Sequence, residues 1–379
     1  MEIEQNVWID GKGWQHGRPG RLGDSAQLIL IFGSPDLIKE ERGLDDIKKS
    51  YPQAILAGCS SAGNISGTRV YDDALVIAAI KFDHTQVKGA MVDLGENVNS
   101  FEAGVRLAHA LDEDGLVHVL VFSDGVKANG SELVKGLANS LPRQVTVTGG
   151  LAGDDARFQE TFVMLDGTPR PGAIAGLGFY GNRLKVGFGS LGGWDPFGPV
   201  RVVTRSVGNI LYELDSQPAL ELYKRYLGEH AAGLPATGLL FPLSLGVQGS
   251  GNRLVRTILA VDDGEGSITF AGDVPEGATV QLMRANFERL LDGAADAARI
   301  SYEAIGSSSP DLAILISCVG RKLVLKQMIE EEVEGVQEVL GEQTPMTGFY
   351  SNGEIAPFNP TANCELHNQT MTITTFSES

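Results

Sequence analysis

The sequence predicts a mixed α/β fold in two domains, each with apolar β-sheets flanked by helices. Three observations predict it: the length of 379 residues, the composition, and a repeated pattern of strands and helices punctuated by 48 glycines. Domains usually hold about 100–200 residues, so this length favours two of them. The 42% hydrophobic and 21% charged residues are typical of a folded globular chain.

The pattern strand, helix, strand, glycine loop, strand occurs three times. The first unit covers residues 27–82, the second covers 118–180, and the third runs from 311 to the C-terminus. Short Val, Ile and Leu runs bounded by turn residues are typical of strands buried on both faces. The repeat predicts duplicated α/β units whose glycine loops, at 58–64, 149–154 and 348–354, gather at one edge.

Helices are predicted between the first two strands of each unit, over residues 36–50, 131–140 and 323–340. Outside the units, Asp and Ser ahead of Pro218 start a helix over 219–227. A hairpin turns at Asp262-Asp263-Gly264, and an amphipathic helix covers 284–301. These segments place the domain boundary near residue 210: an N-terminal extension over 1–20, an N-terminal domain over 21–210 and a C-terminal domain over 211–379.

The net charge and the cysteines limit which partners and which cellular compartment we expect for the protein. The net charge of −18 repels phosphate backbones and anionic lipid, so neither nucleic acid nor a membrane surface is expected as a partner. The longest apolar run, residues 74–80, is far shorter than the roughly 20 residues that span a bilayer, and the N-terminus lacks the pattern of a secretion signal. Three cysteines without CxxC spacing predict no disulfide framework. We expect a cytoplasmic protein.

The glycine loops are the predicted ligand site. Glycines after strands let backbone N–H groups converge on an anion, although they also suit tight corners between strands. The loop at 350–354 is the most polar, with an aromatic ring, hydroxyl, amide and carboxylate of the kind that orient a small ligand. The residues predicted to bind a ligand are Cys59, Ser60, Ser61, Asn64, Gly149, Gly150, Asp154, Tyr350, Ser351, Asn352 and Glu354.

Other chemistry has less sequence support. Cys59 could act as a nucleophile, but no histidine lies near it in sequence to serve as its base. The six histidines show no HxH, HxxxH or HExxH spacing, so no zinc site is predicted. Arg253, Arg256 and Arg284 lie on strand-like segments, where they could clamp a ligand carboxylate or pair with surface acids.

Six segments of the sequence carry a resemblance to a known family: 57–63, 149–155, 241–243, 272–277, 348–355 and 365–370. They cover nearly the whole chain and follow one another in the order of the FIST family, which the chain therefore resembles. In that family an N-terminal FIST domain precedes a FIST C-terminal domain. One departure is Asn64, where the family often places Glu after Ala-Gly.

The resemblance implies a sensory, ligand-binding module of signal transduction. Amino acids are among the ligands suggested for the family, and some bacterial members are haem proteins that sense nitric oxide and act on a histidine kinase. A lone histidine can be an axial haem ligand, and His367 and His230 are the candidates here. Eukaryotic relatives are F-box proteins, but no F-box helices precede residue 20.

The leading hypothesis is a cytoplasmic, stand-alone sensor that binds haem or an amino-acid-like metabolite. It is not an enzyme, and it signals through a separate protein such as a histidine kinase. Two alternatives stay open: a thiol-dependent enzyme that uses Cys59, and an interaction module without a small ligand. The identity of the ligand, the output partner, the oligomeric state and the strand order are not predicted by the sequence.

Overall fold

The computed structural model describes residues 1–95, 99–155, 157–246, 253–306, 309–358 and 363–379. The strands, in chain order, are β1 Glu2–Ile9, β2 Gly13–Trp14, β3 Leu28–Gly33, β4 Ile55–Ser60, β5 Asn64–Ser66, β6 Arg69–Tyr71, β7 Ala74–Lys81, β8 Gln86–Asp93, β9 Leu116–Ser123, β10 Thr146–Leu151, β11 Val163–Leu165, β12 Thr168–Arg170, β13 Ala173–Tyr180, β14 Leu184–Leu191, β15 Asp195–Val207, β16 Ile210–Leu214, β17 Gln217–Pro218, β18 Leu243–Gly246, β19 Arg253–Arg256, β20 Ile258–Asp262, β21 Ser267–Phe270, β22 Thr279–Arg284, β23 Leu312–Cys318, β24 Met346–Ser351, β25 Gly353–Pro357, β26 Cys364–His367 and β27 Met371–Glu378.

The helices connect and cover these strands. Short 3-10 helices occur at Gly23–Ser25, Gly228–Gly233, Ala236–Leu240 and Lys326–Met328. The α-helices are α1 Pro35–Lys39, α2 Leu44–Ser50, α3 Ser100–Ala110, α4 Gly130–Ser140, α5 Ala219–Leu227, α6 Phe287–Ala304, α7 Val319–Leu325 and α8 Ile329–Leu340. No helix in the described ranges combines the length and the hydropathy needed to cross a membrane.

The three predicted units share one strand arrangement, which confirms the mixed α/β fold class. In each unit the first strand pairs in parallel with the second strand and antiparallel with the closing strand. These trios are β4-β3-β7, β10-β9-β13 and β24-β23-β27. A further strand pairs with each closing strand, namely β1, β8 and β14. We call these three units, with those further strands, the repeat body.

Hairpins exchanged between the units tie the three sheets into a ring. The hairpin that follows the second strand of one unit joins the sheet of another unit. The β5–β6 hairpin of the first unit pairs with β24 of the third, and β25–β26 of the third unit pairs with β10 of the second. The β11–β12 hairpin of the second unit closes the ring on β4 of the first. Each unit therefore completes a neighbour's sheet.

A β-rich segment lies between β14 and α6 in the chain. Its strands β15 to β22 form a sheet of their own, against which α5 packs. We call this segment the inserted unit; the structure describes it over residues 195–246 and 253–284. The predicted boundary at 210/211 falls inside β16, directly after its first residue, and β16 pairs with β15. The β-sheets thus do not separate the chain at 210/211. The domain boundary at that position stays a prediction.

Two predicted helices are interrupted, which corrects the sequence analysis. The helix expected over 36–50 is split into α1 and α2, with Glu41 and Gly43 at φ values of 53° and 75° between them. The helix expected over 323–340 is split into α7 and α8 at Lys326, with φ 52°. Residues at positive φ leave the right-handed helical region, so a continuous helix cannot pass through them. The helix over 219–227 is confirmed as predicted, and the one expected over 284–301 covers 287–304.

The first glycine of each predicted loop lies inside the second strand, which is a further correction. A Cβ atom at these positions would lie 1.8–2.0 Å from a backbone carbonyl oxygen of the facing first strand. Only glycine permits so close an approach of two backbones. The facing pairs are Gly58 with Ile31, Gly149 with Val121, and Gly348 with Leu315.

Candidate functional site

The three glycine segments meet one another, as the repeat predicts, and they are joined by backbone hydrogen bonds in a ring. In each bond the donor N–H belongs to the residue four positions after the first glycine of one segment. The acceptor carbonyl belongs to the residue two positions after the first glycine of another segment. These bonds run from Ala62 N to Tyr350 O at 2.9 Å, from Gly153 N to Ser60 O at 3.0 Å, and from Asn352 N to Leu151 O at 3.0 Å. We call this arrangement the hub.

The residues that the sequence assigned to a ligand are brought together at the hub, but they are buried against protein groups. The Ser60 hydroxyl donates to Gly153 O at 2.9 Å and accepts from Phe162 N at 3.0 Å. The Asp154 carboxylate accepts three backbone N–H groups, from residues 158, 159 and 160. The Tyr350 hydroxyl donates to Glu332 at 3.0 Å. Their role in binding a ligand stays a prediction, since these contacts are also sufficient to hold the hub together.

A buried carboxyl group stands beside the hub in the third unit. Glu354 accepts the Ser351 hydroxyl at 2.7 Å and both the N–H and the hydroxyl of Thr370, at 3.1 and 2.8 Å. Burial raises the pKa of Glu354 to about 7, although these hydrogen bonds oppose the shift. The first unit repeats the arrangement with an amide, because Ser61 donates to Asn64 Oδ1 at 2.7 Å. The departure at Asn64 therefore replaces a titratable group with a neutral one.

The side chain of Cys59 lies in the apolar core of the repeat body and is fully buried. Burial raises the pKa of its thiol well above the ordinary value, so the thiolate needed for attack is disfavoured. This environment is typical of a structural cysteine rather than a nucleophile.

The two predicted haem ligands differ in their surroundings. His367 is buried, its Nε2 lies 2.9 Å from Ala356 O, and its ring packs against Phe358. His230 is exposed on a 3-10 helix, with its ring 5.2 Å from that of Phe241. Neither histidine is among the residues that line the two cavities described below. Within the described ranges, no three His, Cys, Asp or Glu side chains are grouped to hold a metal ion.

A cleft lies where the inserted unit packs against the repeat body. Its volume is about 230 Å³. The inserted unit lines it with Leu245, Gly246, Leu254, Arg256, Asp273, Pro275 and Ala278, and the repeat body with Ser131, Lys135 and Glu365. We call it the junction cleft. Apolar walls with a few convergent charged groups are typical of sites for small molecules.

Arg256 is the most deeply buried charged residue of the junction cleft, with 3% of its surface exposed. Its Nε donates to Asp273 O at 3.0 Å, and its Nη1 donates to Leu366 O at 2.9 Å and Val255 O at 3.3 Å. Burial lowers the pKa of Arg256 to about 10, so the guanidinium stays charged at neutral pH. Among the described residues, no carboxylate forms a salt bridge with it, and its Nη2 donates to no protein acceptor.

Asp273 fastens the inserted unit to α4 of the repeat body. Its carboxylate accepts from Asn129 Nδ2 at 3.1 Å and from Lys135 Nζ at 2.9 Å, while its N–H donates to the Ser131 hydroxyl. Burial alone would raise the pKa of Asp273, but the bonds from Asn129 and Lys135 hold it below its ordinary value. Glu365, on the opposite side, has a raised pKa because it is partly buried. The junction cleft therefore holds charges of both signs.

A second cavity of about 190 Å³ lies at the same junction and is lined by residues that include Asn352 and Phe270. Asn352 is the predicted ligand residue that reaches a cavity of this junction. Its Nδ2 donates to Gly125 O at 3.3 Å, and its buried Oδ1 has no partner among the described residues. This amide is thus the hub residue best placed to meet a ligand.

Sequence reasoning named Arg256 but missed Lys135, Asp273 and Glu365 as lining residues. The missed residues belong to segments that pack together only in the folded chain. A signal was nevertheless present, because 272–277 and 365–370 are two of the segments that carry the family resemblance, and both contribute to the junction cleft.

These features define an α/β protein of three hairpin-exchanging units with a β-rich insertion. The FIST N domain model matches residues 27–217, and the FIST C domain model matches residues 219–357. The chain therefore belongs to the FIST family, whose domains are associated with sensory signalling.

Two relatives extend over most of the chain. An uncharacterized protein of Methanocaldococcus jannaschii is 24% identical over 83% of this chain, and the chain spans 64% of that relative's length. An uncharacterized protein of Mycobacterium tuberculosis (strain H37Rv) is 24% identical over 90% of this chain and 89% of its own length. Neither description states a ligand or an activity.

Buried titratable groups predict how stability depends on pH. Burial lowers the pKa of His118 to about 3 and that of His367 to about 4. As the pH falls below about 6.5, both histidines are therefore protonated in the unfolded chain while they are still neutral in the folded protein. Both histidines therefore contribute stability that is lost on acidification. Glu354 acts in the opposite sense, because its raised pKa lets the folded state bind a proton between about pH 7 and 4.5.

Substituting Glu354→Gln should accordingly steepen the loss of stability in acid. Between pH 6.5 and 4.5 the free energy of unfolding should fall faster than in the unsubstituted protein by about 1.4 kcal/mol per pH unit. Urea unfolding at three pH values in this range measures the slope. Glu342→Gln, at an exposed carboxyl, controls for the substitution itself. Equal slopes for Glu354→Gln and the unsubstituted protein would contradict the proposed protonation of Glu354.

Proposed function

We propose that this protein is a non-enzymatic sensor that binds a small, amino-acid-like metabolite and passes the signal to a separate protein such as a histidine kinase. The observation that carries the proposal is the junction cleft, where charged groups of both units converge on an apolar cavity. Membership of a family associated with sensory signalling supports the same function.

The position of the junction cleft suggests how binding could be read out. The inserted unit contacts the repeat body there through Asp273 and Arg256, so a ligand bound between the two would touch both. A ligand that makes contacts with both units favours their packed arrangement over a separated one. The exposed surface around the junction would then differ between the bound and free states, and a partner could recognise that difference.

The arrangement of the residues supports the enzyme and haem hypotheses less well than it supports a sensor of a small metabolite. Cys59 is buried in apolar surroundings without a base, so alkylation should be slower than for free cysteine.

For haem, the absorption spectrum of the purified protein after haem is added is the direct test. We expect no Soret band that shifts with nitric oxide, because His230 and His367 do not face a cavity of the junction. Such a band would support the haem hypothesis instead.

Small ligands should stabilise the full chain against heat. A ligand at 100 times its dissociation constant adds about 2.7 kcal/mol to the free energy of unfolding, which raises the Tm by several degrees. A thermal-shift panel of amino acids, short carboxylates and amines measures this, with Ala278→Leu as the variant whose side chain fills the junction cleft. We expect the shift to be lost in Ala278→Leu. If no compound shifts the unsubstituted protein, the proposed function fails.

A further inference from the structure

We infer that the junction cleft is a binding site for a small monocarboxylate with a short apolar body, and that Arg256 binds its carboxylate. This inference rests on the proposed function and names the ligand class and the anchoring residue.

The electrostatic state of Arg256 favours an anionic ligand. An ionised group that is 3% exposed is costly to bury unless a counter-charge or hydrogen bonds compensate it. Backbone carbonyls of Asp273, Leu366 and Val255 accept from Nε and Nη1, but they carry no net charge. The Nη2 atom donates to no acceptor in the described part of the chain. The carboxylates of Asp273 and Glu365 attract the guanidinium without forming a salt bridge with it. A ligand oxyanion would supply the acceptor for Nη2 and a direct salt bridge.

Two separate chain segments are shaped around the Arg256 guanidinium. Gly272 leaves room for it, because a Cβ there would lie 3.0 Å from Arg256 Nε. The next residue, Asp273, offers its carbonyl to Nε and directs its carboxylate away to Asn129 and Lys135. From the repeat body, Leu366 offers its carbonyl to Nη1. The protein thus holds the guanidinium in place with carbonyls, while the carboxylate of Asp273 bonds to Asn129 and Lys135.

The volume of the junction cleft and the charges that line it limit the size and charge of the ligand. A volume of about 230 Å³ holds roughly eight to ten non-hydrogen atoms at the packing density of protein interiors. Leu245, Leu254 and Ala278 supply apolar walls for the body of such a molecule. Asp273 and Glu365 also line the cleft, and like charges repel a second negative charge on the ligand. A monocarboxylate therefore fits better than inorganic phosphate or a dicarboxylate.

Isothermal titration of the full chain tests the inference with three probes of known chemistry. They are 4-methylpentanoate, its uncharged amide 4-methylpentanamide, and inorganic phosphate. We expect saturable binding of 4-methylpentanoate and at least tenfold weaker binding of the amide and of phosphate. Equal binding of the acid and the amide would overturn the inference, because the carboxylate would then contribute nothing. Absence of binding by 4-methylpentanoate would overturn it as well.

Two variants locate the binding site. Arg256→Gln should weaken 4-methylpentanoate binding by at least about thirtyfold, since one partner of a buried charge pair is removed. Arg225→Gln, at an exposed position of α5 in the same unit, is the matched control and should bind normally. Because Arg256→Gln could impair folding, Glu365→Gln provides a second test. It removes a like charge from the cleft and should tighten binding about fivefold. Unchanged affinity in Glu365→Gln, or in a folded Arg256→Gln, would overturn the inference.

Failure of this inference can be told apart from failure of the proposed function. If the thermal-shift panel gives a ligand whose binding is insensitive to Arg256→Gln, the inference falls and the sensor function stands. If no compound of the panel binds the unsubstituted protein, the proposed function falls with it.

Discussion

Glu332→Ala should lower the free energy of unfolding by about 3–5 kcal/mol, because it leaves the Arg321 guanidinium buried without its counter-charge. Both side chains are fully buried, with 2.6 Å between Arg321 Nη2 and Glu332 Oε1. Arg321 also donates to the carbonyls of Gly192 and Leu290, and Glu332 accepts the hydroxyls of Ser317 and Tyr350. The pair therefore joins α8 and α7 to the segment that leads into the inserted unit.

Urea unfolding of the full chain, followed by circular dichroism, measures this effect. Glu338→Ala, at an exposed position of the same helix, is the matched control and should change stability by less than about 0.5 kcal/mol. The double variant Arg321→Met, Glu332→Leu should recover much of the loss, since apolar residues of similar volume can replace a buried ion pair. A cost below about 1 kcal/mol for Glu332→Ala would show that this pair is not holding the third unit together.

Gly348→Ala should destabilise the protein by about 3 kcal/mol or more, because its Cβ would lie 1.8 Å from the carbonyl oxygen of Leu315. Backbone atoms in paired strands cannot shift without breaking the parallel ladder between β23 and β24. The change would also disturb the hub, since Tyr350 lies two residues further along the same strand. Thermal and urea unfolding both report the loss.

Gly335→Ala is the control for Gly348→Ala, since it makes the same substitution in open space. Gly335 lies in α8, and a Cβ there meets no atom within 4 Å. Alanine is favoured over glycine inside a helix by about 1 kcal/mol, so this variant should be stabilised. Opposite signs for the two substitutions are therefore expected. Similar small effects at both positions would contradict the close approach of the strands at Gly348.

The repeat could be predicted from the sequence because the strands of each unit are short apolar runs bounded by turn residues. The hairpin exchange could not, because the pairing of Asn64–Ser66 with β24 joins residues that are far apart in the chain. The breaks at Glu41 and Lys326 were also missed. Neither residue is a glycine, so no preference of its own for positive φ marked either position in the sequence.

The candidate site could likewise be predicted from the sequence only in part. Glycine spacing correctly predicted that three segments meet, since equivalent strand ends of similar units are brought to one place. It did not reveal that Ser60, Asp154 and Tyr350 bond to protein groups there. These partners come from another unit, from a following turn and from the preceding helix α8, respectively. The junction cleft depends on the packing of the inserted unit against α4 and β26, and no local pattern encodes that contact.

The central claim is that a small ligand binds between the inserted unit and the repeat body. Hydrogen–deuterium exchange of the full chain, with and without saturating 4-methylpentanoate, tests it most directly. Binding in the junction cleft predicts slower exchange in peptides that cover residues 130–136, 253–258, 272–278 and 363–367. Protection confined to the hub segments 58–64, 149–154 and 348–354, with no change at the junction, would contradict the claim and restore the glycine loops as the ligand site.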